Sequence, residues 1–357
     1  MSNREKLKQK LNEIIMRGQI CAKWLPRENS SKGDVAKELM SFMRLSPRAY
    51  RKLLANMSNT VEQKMCAQDW SNIEYSHVPS VAAARYQQAF GRHDETGYAK
   101  YKEKLKTGEA KINASVIFPH DVVRSVYSGD VEVANAQWNA LPNYVGDRKI
   151  LPVSDVSGSM SCKAGNSKTT CMDVSIALGL YLASKNTGAF KDVICTFSEQ
   201  PELMTVEGDL ATKVAQLGNA NWGGSTNLEA TFQLILKKAV EHNVPQIDMP
   251  ELVVILSDMQ FNDACNSYGS VYNPTAIEMI RSQYADAGYV MPGLVMWNLN
   301  GAYGNAPSTS TENGIVMVSG FSPMIMKAVL ACDFDSITPE AMMLSVLESE
   351  RYAAVQV

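Results

Sequence analysis

The chain has 357 residues, 45% of them hydrophobic, and a formal net charge of −3. No uninterrupted apolar run approaches the roughly 18 residues of a membrane span, which argues against a membrane-embedded chain, and the length exceeds what one core usually organises, so two domains are expected. The charge is unevenly placed: residues 1–149 hold 24 Lys and Arg against 16 Asp and Glu, or +8, whereas residues 150–357 hold 10 against 21, or −11.

The basic part reads as helices. Leu7, Leu11, Ile14 and Ile15 recur at three- and four-residue spacings, as do Val35, Leu39, Phe42 and Met43, the stripe of amphipathic helices. The start, Met1 to Lys8, is charged and helical in pattern rather than a basic patch before an apolar run, so no secretory signal is expected and cytoplasmic residence is the default. Ser46 is placed to cap a helix that Pro47 opens, and Pro79 and Pro119 mark similar boundaries. Pro142 to Gly146 reads as an exit linker. A basic all-α domain, a helical array or irregular bundle, is thus expected over residues 1–146, and a second domain over 147–357.

Residues 1–54 alone carry 13 basic against 5 acidic side chains. That excess points to a polyanion such as structured RNA, with Lys23, Arg27, Arg48, Arg51 and Lys52 neutralising phosphates and Trp24 or Tyr50 offering a stacking face. The plainer reading is a solvated face on amphipathic helices, with Trp24 beside Pro26 as a core anchor; docking against the acidic half is a further alternative.

From Ile150 the pattern changes. Apolar strand candidates at Ile150 to Val156, Val193 to Phe197, Leu252 to Ser257, Val290 to Trp297 and Ile315 to Val318 alternate with helical segments at Thr170 to Lys185, Leu228 to His242, Thr275 to Asp286 and Pro323 to Leu330. This predicts an α/β fold, a doubly wound and mostly parallel sheet covered on both faces. A last helix is expected from Pro339 to Arg351, and Gly301 to Gly314 reads as an exposed loop. The seven cysteines are scattered without a CxxC pair and read as free thiols, Cys162 and Cys171 bracketing the loop after the first strand.

That loop carries the chemistry. Asp155-Val156-Ser157-Gly158-Ser159 follows the first strand, Gly223-Gly224-Ser225-Thr226 precedes a helix, and Asp258 follows the buried strand Leu252 to Ser257. The three segments fall at the carboxyl edge of one sheet, where open α/β folds bind ligands. A carboxylate with two short hydroxyls suits a hard cation such as Mg²⁺, with Mn²⁺ or Ca²⁺ also accommodated.

Asp155, Ser157, Ser159, Thr226 and Asp258 resemble, in order, the metal-ion-dependent adhesion site of von Willebrand factor A domains. The resemblance implies that Ser157, Ser159 and Thr226 contact the metal directly or nearly so, with Asp155 and Asp258 acting partly through water. Lys23 to Arg27, Trp70 to Ser80, Ala89 to Asp94 and Phe118 to Asp121, with Ser257 to Phe261, Trp297 to Leu299 and Val318 to Ser322, are similar to a family of uncharacterised proteins from plants, fungi, protists and large DNA viruses or phages that joins a helical region to an A domain. A more distant architectural likeness is to Ro-type ribonucleoproteins of the TROVE group, which the comparison implies as a model for RNA binding.

Two function classes follow: a non-enzymatic RNA or ribonucleoprotein binder, or an adaptor whose cation captures an Asp or Glu of a partner protein. Catalysis is not expected. Asp173 and Asp263 are the nearest further acids, without a histidine, and no Walker-type loop or GxSxG elbow is present.

Overall fold

A computed structural model describes residues 19–128, 130–155, 157–165, 167, 169–220, 227–258, 274–300, 309–312, 315–320, 323–331 and 339–349. The chain divides into two compact units, residues 1–78 with 86–111, and residues 79–85 with 112–357. No helix of the described residues is long and apolar enough to cross a membrane.

The first unit contains α1 (Gln19–Trp24), α2 (Gly33–Met43), α3 (Pro47–Ser58), α4 (Val61–Cys66), the later turns of α5 (Ser80–His93) and α6 (Glu95–Thr107). Ser46 caps α3 as expected, its hydroxyl accepting from the Ala49 amide at 3.2 Å, and Pro47 occupies the first turn, where no amide hydrogen is needed. Tyr50 and Leu54, four apart on α3, are fully buried against Ala22, Ala36 and Met40. A second cluster is aromatic: Tyr75 lies 5.1 Å from Phe90 and 5.0 Å from Tyr98, centroid to centroid. Its phenol donates to Asp94 Oδ2 at 2.8 Å, and Asp94 in turn caps α6 through the Gly97 amide.

The second unit is the mostly parallel α/β fold that the sequence predicts. Its strands are β1 (Ile150–Ser154), β2 (Val193–Thr196), β3 (Leu203–Thr205), β4 (Leu252–Ser257), β5 (Gly293–Asn298), β6 (Thr309–Glu312) and β7 (Ile315–Ser319), ordered β3-β2-β1-β4-β5-β7-β6. The middle five run parallel, and β3 and β6 pair antiparallel at the two edges. Alternate strand residues feed separate cores. Ile150, Val254, Leu256, Val295 and Trp297 pack with α7 (Pro119–Ser128), α8 (Val131–Asn139), α9 (Cys171–Lys185), α10 (Leu210–Gly218) and α13 (Pro323–Ala331). Leu151, Val153, Val253, Ile255, Leu294 and Met296 pack with α11 (Leu228–Glu241) and α12 (Pro274–Asp286). α14 (Pro339–Leu347) is the last described helix.

Three features depart from the sequence expectations. The strand expected from Val290 begins at Gly293. The expected loop Gly301 to Gly314 contains β6, with Thr309 opposite Val318 and Glu312 opposite Ile315; a Thr-Ser-Thr-Glu edge strand lacks the apolar signal that marks a central one. The short elements β3 and α10 had no counterpart in the periodicity.

α9 sets the height of β1. Thr170 and Asp173 form a capping box at its start, with both reciprocal bonds at 3.1 Å. Val174 and the run from Leu180 to Ala183 are all at least 99% buried. At Gly179 the helix lies so close to the end of β1 that a Cβ would stand 2.3 Å from Ser154 Oγ. Gly179→Ala should therefore cost about 1–3 kcal/mol through overpacking, read as a lower urea midpoint. Because that Cβ lies 3.7 Å from Ser154 Cβ, adding Ser154→Ala should restore most of the loss; failure of the rescue would reject this contact as the cause.

Candidate functional site

Strand order reverses between β1 and β4, whose carboxyl ends lie side by side, and the parallel ladder carries both acids to that edge. Asp155 follows β1, its amide bonded to the Leu256 carbonyl at 3.0 Å, and is fully buried; Asp258 follows β4 and is 4% exposed. Each Asp155 oxygen has a donor: Oδ1 accepts from the Ser157 amide at 2.9 Å, and Oδ2 from the Ser257 hydroxyl at 2.6 Å. Ser157 Oγ and Ser159 Oγ are 3.0 Å apart, so two hydroxyls sit together beside two acids.

The loop is anchored from beneath. Residues Gly158–Ser161 form one 3₁₀ turn, and Met160 within it is fully buried with its sulfur accepting from the Asp258 amide at 3.1 Å. Burial, with the nearby charge of Asp258 adding to it, raises the Asp155 pKa above the ordinary carboxylate value, while the bonds from Ser257 and Ser157 pull the other way.

The donor set is oxygen, two hydroxyls and two carboxylates, the chemistry of a hard divalent cation that keeps part of its water. Among the described residues no group of three or more His, Cys, Asp or Glu side chains stands as an alternative metal centre. Ser157, Ser159, Asp155 and Asp258 would hold such an ion, and Thr226 lies outside the described residues. Ser257 was not singled out from sequence; its signal was a hydroxyl ending an otherwise apolar strand. Asp173 is tied into the cap of α9, its Oδ2 accepting from the Thr170 amide at 3.1 Å.

The basic residues of the first unit are divided in their roles. Arg51 pairs with Glu28, whose side chain is 14% exposed, and Arg27 Nη1 donates to the Leu25 carbonyl at 3.5 Å, so both serve local structure. Lys23, Arg48 and Lys52 are exposed. Tyr50 is fully buried with its hydroxyl donating to the Pro26 carbonyl at 3.1 Å and offers no stacking face, which corrects one of the two aromatic candidates. Trp24 is the opposite case: it is no core anchor but 77% exposed, with Lys23 Nζ 5.9 Å from its ring centroid.

Residues 149–353 match the family described as domain of unknown function DUF7788, and residues 7–149 match domain of unknown function DUF2828. An uncharacterized protein of Acanthamoeba polyphaga mimivirus, L728, is 32% identical over 358 residues covering 92% of this chain, which spans 60% of that relative's length. A viral relative therefore exists, as the sequence led one to expect. The crystal structure of the Deinococcus radiodurans Ro (RSR) protein aligns over 88% of this chain and 73% of its own, at 16% identity and a TM-score of 0.41. An uncharacterized membrane spanning protein from Vibrio fischeri aligns over 56% of this chain and 100% of its own, at 15% identity and a TM-score of 0.20.

The raised Asp155 pKa has a definite sign. The fold favours the protonated acid, so in chelator the stability it contributes is greatest below the ordinary carboxylate pKa and declines as pH rises through the raised value. Mg²⁺ should offset that decline. Thermal melts across mildly acidic to neutral pH, with Mg²⁺ or EDTA, should diverge as pH rises, and Asp155→Asn should flatten the EDTA curve. Curves that stay parallel would contradict the buried-acid account.

Proposed function

The chain belongs to the DUF7788 family, whose domain has no assigned function, and from its own residues we propose an intracellular, non-enzymatic RNA-binding protein. Its first unit takes the RNA, and its sheet unit holds a divalent cation. The observation that carries the reading is Trp24, a large ring held 77% in solvent beside the Lys23 ammonium. A solvent-facing indole sacrifices the burial that a core would provide, and stacking on a base recovers it without regard to sequence. Lys23, Arg48 and Lys52 supply exposed cations in a segment with 13 basic against 5 acidic side chains, and phosphate neutralisation releases counterions.

A second reading is favoured by one observation, the pairing of the Ser157 and Ser159 hydroxyls at 3.0 Å beside buried Asp155 and Asp258. An oxygen-held divalent cation supplies an electrophilic position that an Asp or Glu carboxylate of a partner protein can fill. Ser257 and the Ser157 amide then act by fixing Asp155, so the loop presents its hydroxyls without rearranging.

Fluorescence anisotropy with single-stranded and structured RNA separates the two. Trp24→Ala should weaken RNA binding about 5- to 150-fold, the loss of roughly 1–3 kcal/mol of stacking, while Trp24→Phe retains much of it. Lys23→Gln or Lys52→Gln should each lower the salt slope by about 0.7–1. Asp258→Ala should leave RNA affinity alone and instead abolish Mg²⁺-dependent retention of a protein partner. Unchanged RNA affinity in Trp24→Ala would reject the first reading, and retention that survives both EDTA and Asp258→Ala would reject the second.

A further inference from the structure

The loop that leaves the metal-site turn returns to α9 as a two-stranded ladder. Lys163 bridges Thr170 antiparallel, the Cys171 amide donates to the Cys162 carbonyl at 2.9 Å, and the Ala164 amide donates to the Thr169 carbonyl at 2.9 Å. This register sets Cys162 directly opposite Cys171, and their sulfurs lie 3.5 Å apart as free thiols. Directly opposed residues on antiparallel strands approach closely enough for their side chains to meet, and here they meet sulfur to sulfur. A disulfide needs about 2.05 Å between sulfurs, so oxidation has only the remainder of the 3.5 Å gap to close.

The two thiols differ in access. Cys162 is half-buried and reachable, whereas Cys171 is fully buried behind it. An accessible sulfur with a second thiol held against it is the arrangement of a redox-sensing pair, in which the inner thiol resolves what forms on the outer one. Of the other cysteines whose side chains are described, Cys66 is exposed and Cys195 lies fully buried in β2.

We propose that Cys162 and Cys171 form a peroxide-driven, thiol-reversible disulfide, a modification site beside the carboxyl edge of the sheet. Hydrogen peroxide transfers one oxygen to Cys162 Sγ, giving a sulfenic acid and water. Cys171 Sγ then forms the S–S bond and displaces the hydroxyl, which leaves with the Cys171 proton as a second water. Two thiols thus lose two electrons and two protons while one peroxide becomes two waters, and a small dithiol returns the pair to its reduced state.

The bond would have a structural reach. Cys162 ends the 3₁₀ turn that carries Ser159 and Met160, its sulfur lies 4.0 Å from Asp258 Oδ2, and Cys171 opens α9. Oxidation therefore ties the turn covalently to the helix. This site stands whether or not a cation occupies the neighbouring edge.

Trypsin reads it directly, because Lys163 and Lys168 lie between the two cysteines. The folded chain is treated with hydrogen peroxide in EDTA, blocked with iodoacetamide, digested and weighed. The expected result is that peptides 150–163 and 169–185 remain joined after oxidation and separate on reduction. In Cys171→Ser, checked for folding by circular dichroism, Cys162 should instead be trapped by dimedone as a sulfenic acid. Peptides that stay separate in the wild type, with Cys162 unmodified or carried on to sulfinic acid, would overturn the proposal.

Discussion

A buried carboxylate at the reversal point of a parallel sheet is the constraint from which the rest of this molecule's local structure follows. Asp155 has lost its water entirely, so each oxygen must find a donor within the protein or the fold pays several kcal/mol. The Ser257 hydroxyl and the Ser157 amide meet that demand, and they come from the ends of different segments. The β1–β4 ladder fixes the first, and the tight turn after Asp155 fixes the second. Gly179 lets α9 lie close over Ser154, and Met160 locks the turn from below, so the hydroxyls of Ser157 and Ser159 stand where the edge opens.

Much of this was legible in the sequence because it rests on local chemistry. Strand candidates followed by polar loops, and a helix announced by Thr170, translate directly into β1, β4 and α9. Asp155, Ser157, Ser159 and Asp258 were placed on one edge by the order of elements alone. Ser257 was not, since its role depends on which oxygen faces it across 102 positions of chain. The antiparallel edge strands were also hidden, because β6 is made of residues that equally well compose a loop.

The first unit teaches the same lesson through its aromatics. Tyr50 and Trp24 were both stacking candidates in sequence, and Trp24 beside Pro26 read more plainly as a core anchor. Packing separates them: Tyr50 faces Leu54, Ala36 and Met40, whereas Trp24 ends α1 and turns away from that cluster. Likewise the guanidinium of Arg51 is claimed by Glu28, a partner 23 residues earlier that net charge cannot reveal. A charge excess names a tendency of a surface, and only pairing tells which side chains remain to act on it.

The sheet's borders carry a consequence for how other chains can approach. Among the described residues β3 has three and β6 four, and both run against their neighbours, so each described border offers a brief row of outward amide and carbonyl groups. A peptide seeking to extend the sheet strand by strand would gain few main-chain bonds before running out of template. Recognition is thereby directed away from backbone pairing and toward side chains at loops and helix surfaces. The same brevity guards a sheet rich in valine and isoleucine against stacking edge to edge with copies of itself.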